Sequence, residues 1–149
     1  MKVDPPKLDS PAPLAAARLF LPRETRVVSQ RDFERAWKTG SRARGDVLVV
    51  VAVANGTPWA RYGLSVGKKV WKGAVDRNRV RRIFREAFRL TRQQLPVGHD
   101  FILVPAAPKL RPTLEATCRE LAKLGPKAVA RLREKNEKPE KNGNVGAAP

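Results

Sequence analysis

Apolar and polar side chains follow two different periods in the first half of the chain. Residues 29 to 40 have the spacing of a helix with one apolar face, which the Ser29 hydroxyl can cap and which Gly40 can end. Residues 46 to 54 form a nearly unbroken β-branched run, and residues 60 to 67 alternate apolar and polar positions after an Asn-Gly turn. The pattern predicts a short helix followed by two antiparallel strands.

The second half of the chain opens with a longer helical pattern between about residues 75 and 93. Its core-facing stripe consists of Val80, Ile83, Phe84, Ala87 and Phe88. A strand of the buried type at residues 100 to 104 and an amphipathic helix from about Thr113 follow. The order of elements predicts a small α/β domain, in which strand 61–67, helix 75–93 and strand 100–104 form a β-α-β unit.

Composition separates a central domain from two tails. Residues 1 to 22 are rich in proline and alanine, and residues 126 to 149 are basic and polar. We expect both to extend from a domain at residues 23 to 125, with disorder after about residue 134. One cysteine and one histidine are too few for a disulfide framework or a structural zinc site. No apolar run approaches the roughly 18 residues of a membrane span, and we expect a cytoplasmic protein.

Positive charge is concentrated on the longer predicted helix. The chain has 31 lysines and arginines against 14 acidic residues, a net charge of +17, and residues 68 to 92 carry ten basic and two acidic side chains. At 100° per residue, the face opposite the apolar stripe presents Asn78, Arg81, Arg82, Arg85, Arg89 and Arg92. Solvated helix faces normally interleave both signs, whereas arginine favours bidentate phosphate contacts. We therefore predict a nucleic-acid surface, and favour structured RNA over DNA because the helix belongs to a sheet-containing domain and carries mostly phosphate-reading side chains.

The residues themselves predict no catalytic or metal-binding group. The carboxylates are scattered rather than clustered as Mg²⁺ sites require, and residues 63 to 69 lack the spacing of a nucleotide-binding phosphate loop. Phe33 and Trp37, one helical turn apart, could stack unpaired bases in an open cleft or could equally be core residues. We expect His99 at a strand edge and Cys118 in the core.

Several segments resemble the bacterial ribonuclease P protein component. The most specific is the run from residue 74 to residue 89, with Arg-Asn-Arg at residues 77 to 79. The surroundings agree, with Asp32-Phe33 before Trp37-Lys38-Thr39-Gly40, Gly63-Leu64-Ser65-Val66 before Lys68-Lys69, and Gly98-His99-Asp100-Phe101 after the basic helix. The resemblance covers about residues 22 to 125 and leaves out the tails.

The resemblance implies an α+β fold, a two-layer α/β sandwich similar to the second domain of ribosomal protein S5. It also implies a left-handed β-α-β crossover, where the general rule would give a right-handed one. Contacts with a catalytic RNA are implied for Arg77, Asn78, Arg79, Arg81, Arg82, Arg85 and Arg89. A substrate leader is implied to bind Phe33, Trp37, Tyr62, Ser65, Lys68 and Lys69.

The function implied by the resemblance is that of an accessory subunit in a ribonucleoprotein endoribonuclease. Such a complex removes 5′ leaders from precursor tRNAs, and its RNA carries out the cleavage with Mg²⁺ held mainly by that RNA. We accordingly expect an inactive isolated protein, a monomer in a 1:1 complex with catalytic RNA, and neither DNA nor membrane as a partner. A ribosomal-type structural RNA-binding protein is the alternative, and a DNA-binding module is a weaker one.

Overall fold

The computed structural model describes residues 25–27 and 29–137 of the chain. The predicted N-terminal extension, residues 1 to 22, lies outside the described residues. The helices and strands in chain order are α1 (Gln30–Thr39), β1 (Ser41–Arg44), β2 (Leu48–Ala54), β3 (Arg61–Leu64), α2 (Ala74–Thr91), β4 (His99–Pro105) and α3 (Leu114–Glu137). A short 3-10 turn at Arg92–Gln94 follows α2.

The first helix begins and ends as predicted. The Ser29 hydroxyl accepts a hydrogen bond from the Asp32 backbone N–H at 3.4 Å, which satisfies one of the unpaired donors of the first turn. At the other end the Gly40 N–H donates to the Ala36 carbonyl. A Cβ atom at Gly40 would lie 2.5 Å from that carbonyl oxygen, so this close approach requires glycine.

The four strands form one sheet in the order β1-β2-β4-β3. The predicted hairpin between residues 46–54 and 60–67 is therefore wrong, because β4 lies between β2 and β3. Phe101, Ile102 and Leu103 of β4 are completely buried, and β4 pairs with β2 over seven residues, more than the four of β3 allow. The apolar character of β4 on both faces thus places it at the centre of the sheet.

One strand was not predicted from the sequence. β1 pairs antiparallel with β2 at the edge of the sheet, and its sequence is Ser-Arg-Ala-Arg. Only Ala43 of this strand is buried, so it has no apolar pattern to detect. The predicted β-α-β unit is confirmed, since β3 and β4 pair in parallel and α2 connects them.

Both faces of the sheet are covered, but unequally. The main hydrophobic cluster joins one face to α2 and α3 and includes Phe84, Phe88, Phe101, Leu103 and Leu121. A smaller cluster on the other face joins Val51, Val53 and Ile102 to Ala36 and Phe33 of α1. The main core thus lies between the sheet and the helices α2 and α3. On the opposite face, α1 covers only part of the sheet, and the sheet surface beside α1 is left uncovered.

The folded region extends past residue 125, where composition predicted the start of a tail. α3 continues through Pro126 to Glu137, and Ala128, Val129 and Leu132 are buried. Burial of these apolar residues offsets the backbone hydrogen bond that a proline removes from a helix. The domain therefore ends within the predicted tail, and the residues after 137 lie outside those that the structure describes. None of the helices described is both long and apolar enough to cross a membrane.

Candidate nucleic-acid interface

The arginine-rich helix has the two faces that its sequence predicts. Val80, Phe84, Ala87 and Phe88 are completely or almost completely buried, and Ile83 is partly buried against the same core. This packing turns the opposite face of α2 toward solvent along most of its length. The core therefore determines which arginines are available to a partner.

Three arginines of α2 are exposed without a hydrogen-bonding or ionic partner among the described residues. We call this set, Arg79, Arg82 and Arg85, the docking arginines. Asn78 is exposed beside them, and its side-chain oxygen accepts a hydrogen bond from Arg81 at 3.2 Å. Unneutralised guanidinium groups on a helix are suited to bidentate phosphate contacts, because each planar group can donate two parallel hydrogen bonds and the backbone is already ordered.

Two other predicted RNA contacts also hold a loop in place. Arg77 Nη1 donates to the carbonyls of Trp71 and Lys72 at 3.0 and 2.6 Å, and Arg81 Nη2 donates to the carbonyl of Val66 at 3.0 Å. These bonds attach residues 66–72, which we call the basic loop, to the start of α2. The sequence did not indicate this positioning role, because it depends on where the loop returns.

The basic loop presents its lysines to solvent from an anchored backbone. Lys68 and Lys69 are exposed, as the sequence predicted, and their contact with a leader stays a prediction. Trp71 fixes the loop from the other side, since its indole N–H donates to the Leu110 carbonyl at 2.9 Å and its ring lies 4.7 Å below the Arg111 guanidinium. The loop thus carries positive charge between β3 and α2.

The C-terminal part of the arginine face is less available. Arg89 forms an ion pair with Glu86, and burial lowers the pKa of Arg92 below its usual value. Both residues are half-buried. The exposed cations of the helix are therefore concentrated between residues 79 and 85, next to the basic loop.

The second candidate surface lies on the sheet face that α1 partly covers. Ala36 faces the sheet, and at 100° per residue Asp32 and Arg35 fall on one flank of the helix while Phe33 and Trp37 fall on the other. Phe33 is partly buried against Ile102 in the smaller cluster, and a Cβ atom at Gly63 would lie 3.0 Å from its ring. Trp37 is 38% exposed. Phe33 thus packs against the sheet and is only partly accessible to solvent, whereas the Trp37 ring is exposed enough to contact a partner.

The strand register shows which residues of the sheet lie beside the rings of Phe33 and Trp37. Val104 pairs with Val49, and both are on the α1 side because successive residues alternate faces and their neighbours Ile102 and Val51 pack there. Val49 and Val104 are half-buried, whereas Val53, four residues after Val49 on β2, is buried. The open strip therefore lies on the flank of α1 that carries Phe33 and Trp37.

We call this strip the cleft, lined by Phe33, Trp37, Val49, Ser65 and Val104. Ser65 reaches it because it is two residues beyond Gly63, and its backbone N–H donates to Leu103 at 3.0 Å. One end of the cleft meets the basic loop. At the other end, on β1, the Arg42 guanidinium lies 5.8 Å from the Trp37 ring. Val49, Val104 and Arg42 were missed, because only the register shows which face they occupy.

Tyr62 does not belong to this surface. Its side chain is 3% exposed and its ring centroid lies 4.8 Å from that of Phe88, between the sheet and α2. The expected role of Tyr62 in binding a leader is a wrong prediction, because alternation along β3 turns Tyr62 away from the side that Gly63 and Ser65 occupy.

A buried carboxylate holds α1 over the sheet. Asp100 is completely buried and accepts hydrogen bonds from Arg61 at 2.6 and 2.7 Å, from Asn55 at 3.0 Å and from Arg35 of α1 at 3.3 Å. Asp32 adds ion pairs to Arg35 and Arg61 at 3.3 and 3.5 Å. The hydrogen bond to Asp100 is the main cause that raises the pKa of Arg61. This cluster fixes the flank of α1 opposite the cleft.

Glu120, the histidine and the cysteine lie where they contribute to the fold. In the part of the chain described, no group of three or more histidine, cysteine, aspartate or glutamate side chains could hold a metal ion. Glu120 accepts backbone hydrogen bonds from residues 46, 47 and 48 at 2.9 to 3.1 Å. His99 is the first residue of β4, as predicted, and Cys118 packs partly buried against the core, where burial raises the pKa of its thiol.

Comparisons with known proteins give a consistent result. A family model described as Ribonuclease P matches residues 21–129. The chain is 37% identical over 110 residues to the ribonuclease P protein component of Oleidesulfovibrio alaskensis, covering 70% of this chain and 86% of that protein. It is 38% identical over 89 residues to that of Desulfovibrio desulfuricans, covering 58% and 68%.

Solved structures agree with the sequence comparisons. The RNase P protein from Thermotoga maritima superimposes with a TM-score of 0.61 at 29% identity, over 68% of this chain and 96% of that one. The Staphylococcus aureus RNase P protein gives a TM-score of 0.58 at 28% identity, over 67% and 91%. The α+β fold described above is thus shared with these proteins.

Proposed function

This chain belongs to the ribonuclease P protein component family, and from that membership we propose that it assists a catalytic RNA in removing 5′ leaders from precursor tRNAs. The observation that carries the proposal is the pairing of two different surfaces on one rigid domain. One is the unneutralised arginine face of α2, and the other is the cleft with its exposed aromatic ring. The basic loop joins them.

The arginine face is suited to a structured RNA. The docking arginines project from a helix whose other face is core, so their spacing is preorganised for a fixed set of phosphates. Arg77 and Arg81 keep further N–H donors after holding the basic loop, since each guanidinium has five. We assign this surface to the catalytic RNA.

The cleft is suited to a single strand. Unpaired bases stack on aromatic side chains, and Trp37 offers such a ring beside the apolar floor of Val49 and Val104. A duplex has no free base faces to use this surface. Lys68 and Lys69 at one end and Arg42 at the other would contact the phosphates of a strand lying in the cleft. We assign the cleft to the precursor tRNA leader.

Cleavage in this proposal belongs to the RNA, with Mg²⁺ held mainly by RNA. The described carboxylates do not fit a protein-held Mg²⁺ site, because the buried Asp100 is enclosed by arginines and Glu120 faces backbone amides. The protein contributes by binding and orienting the substrate, as one copy per catalytic RNA in the cytoplasm.

Precursor tRNA cleavage by the cognate catalytic RNA at low Mg²⁺ tests the proposal. Addition of the protein is expected to restore cleavage, and the protein alone is expected to cleave nothing. Trp37→Ala should weaken precursor tRNA binding and leave the affinity for catalytic RNA unchanged, because Trp37 lies in the cleft and not on α2. Its 38% exposure means that the variant should still fold. No effect of the wild-type protein on cleavage would refute the function, and copurification with ribosomal subunits would favour the structural alternative.

A further inference from the structure

A second row of positive charge runs along α3 and is separate from the arginine face of α2. Its members are spaced four residues apart and all are exposed, and we call them the α3 row: Arg119, Lys123, Lys127, Arg131 and Lys135. Like charges four residues apart on a helix repel one another. Exposed Glu115 and Glu134 lie near the two ends of the row, whereas Glu120, three residues before Lys123, turns its carboxylate to the backbone amides after β1. The middle of the row, Lys123 and Lys127, has no available acidic partner three or four residues away and is suited to a polyanion.

The row is inclined to the helix axis. Four residues rotate about 40° more than one full turn and rise about 6 Å, so five positions extend over about 24 Å while moving around the helix. The row thus begins on the solvent side, away from buried Leu121 and Ala128, and reaches the edge of the sheet at its C-terminal end. The contacts agree, since Arg131 Nη1 donates to the Arg42 carbonyl at 2.8 Å and Lys135 Nζ lies 3.4 Å from the Gly40 carbonyl.

These contacts join the row to one end of the cleft. Arg42, whose carbonyl bonds to Arg131, has its guanidinium over Trp37. Positive charge is therefore continuous from the cleft, across edge strand β1, to the α3 row. The last members of the row lie beyond residue 129, where the match to the family model stops.

The other end of the cleft gives the direction of a bound strand. Ser65 leads into the basic loop, which Arg77 and Arg81 attach to α2. If α2 docks on the catalytic RNA, the cleavage site lies toward that end, and the distal part of a leader leaves over β1. We propose that the α3 row binds the backbone of the distal leader after it leaves the cleft. This inference rests on the proposed function.

The experiment compares two precursor tRNAs bound by the assembled ribonucleoprotein. One has a leader that ends within the cleft, and the other has a leader that extends past it. The test variant is Lys123→Gln with Lys127→Gln, because neither lysine side chain forms a hydrogen bond or an ion pair within the described structure. The control is Arg133→Gln, an exposed cation on the same helix but about 120° away from the middle of the row.

The double variant is expected to raise the Kd for the long-leader substrate several-fold and to leave the short-leader Kd unchanged. For the long-leader substrate, the slope of log affinity against log salt concentration should become shallower by about 1.4. Each of the two lost phosphate contacts with a single strand contributes about 0.7 to that slope. Arg133→Gln should change neither value. Weaker binding of the catalytic RNA itself would reassign the row to that RNA and overturn the inference, as would equal Kd values for wild type and double variant.

The same measurements separate this inference from the function on which it rests. If the wild-type protein fails to improve binding of either substrate to the catalytic RNA, the proposed function fails and the inference fails with it. If the wild-type protein improves both and the double variant behaves like it on the long leader, only the inference is overturned.

Discussion

Replacement of Asp100 by asparagine tests how strongly the buried carboxylate holds α1 in place. The change keeps the shape of the side chain but removes its charge. Arg61, which donates two hydrogen bonds to Asp100, and Arg35, which donates one, would then lose their buried anionic partner. In asparagine the remaining oxygen can still accept from Asn55, but an NH2 group replaces the second oxygen and would face the Nη2 donors of Arg61 and Arg35.

The expected cost follows from burial. Asp100 is completely buried, and removal of one member of a buried ion pair typically costs about 3–5 kcal/mol because the other charge stays without compensation. Asp32→Asn is the matched control, since Asp32 pairs with the same arginines at 3.3 and 3.5 Å but its side chain is 21% exposed. A pair of that kind contributes about 0–1 kcal/mol.

Urea unfolding followed by tryptophan fluorescence measures both variants. A free energy of unfolding that falls no further for Asp100→Asn than for Asp32→Asn would refute the argument. The same pair tests the link to function, because Arg35 holds the flank of α1 opposite Phe33 and Trp37. Under conditions where both variants are folded, Asp100→Asn should weaken leader binding more than Asp32→Asn, while catalytic-RNA affinity is equal.

The other predictions concern single features. Glutamine at all three docking arginines should reduce the salt slope of catalytic-RNA binding by about 2.7, at about 0.9 per phosphate, and an unchanged slope would place the RNA surface elsewhere. Gly63→Ala would bring a Cβ to 2.8 Å from Ile102 and 3.0 Å from the Phe33 ring, so we expect a loss of about 1–3 kcal/mol in urea unfolding and weaker leader binding; wild-type values in both would contradict the close packing. Glu120→Gln should cost about 1–3 kcal/mol by loss of charged acceptors for three backbone amides, whereas exposed Glu115→Gln should cost little, and equal costs would contradict the role of Glu120. Cys118 should react with a thiol reagent at about pH 8 more slowly than the urea-unfolded chain, because burial raises the pKa of its thiol and only the thiolate reacts; equal rates would refute this.

Local patterns predicted the helices because helix faces are visible in the sequence. Ser29 and Gly40 mark the ends of α1, and the apolar stripe of α2 is buried as expected. The end of the domain was placed at residue 125, and Gly125 and Pro126 are residues typical of a helix end. In the structure Gly125 provides room for Leu95, where a Cβ atom would lie only 2.5 Å from its side chain, and the helix continues. Tertiary packing overrides the local signal at this point.

Strand pairing was harder to predict because it depends on distant residues. The turn at Asn55 and Gly56 is real, and Gly56 has the positive φ of 70° that such a turn uses. However, the Asn55 N–H donates to the Gly98 carbonyl and its side chain donates to Asp100, so the turn is attached to β4 rather than closed on β3. A local hairpin signal cannot indicate that a strand from much later in the chain will enter between its two arms.

Tyr62 is a different case, because the sequence contained the information needed to reject it. In a strand, residues an odd number of positions apart face opposite sides, and Tyr62 is three residues from Ser65. The two cannot line one surface of a regular strand, so the two-residue period alone excludes Tyr62 from a leader site that includes Ser65. The same rule cannot supply the replacements Val49 and Val104, since their shared face depends on the register between β2 and β4. Alternation along one strand therefore tests a candidate site, whereas completing the site requires the pairing of strands.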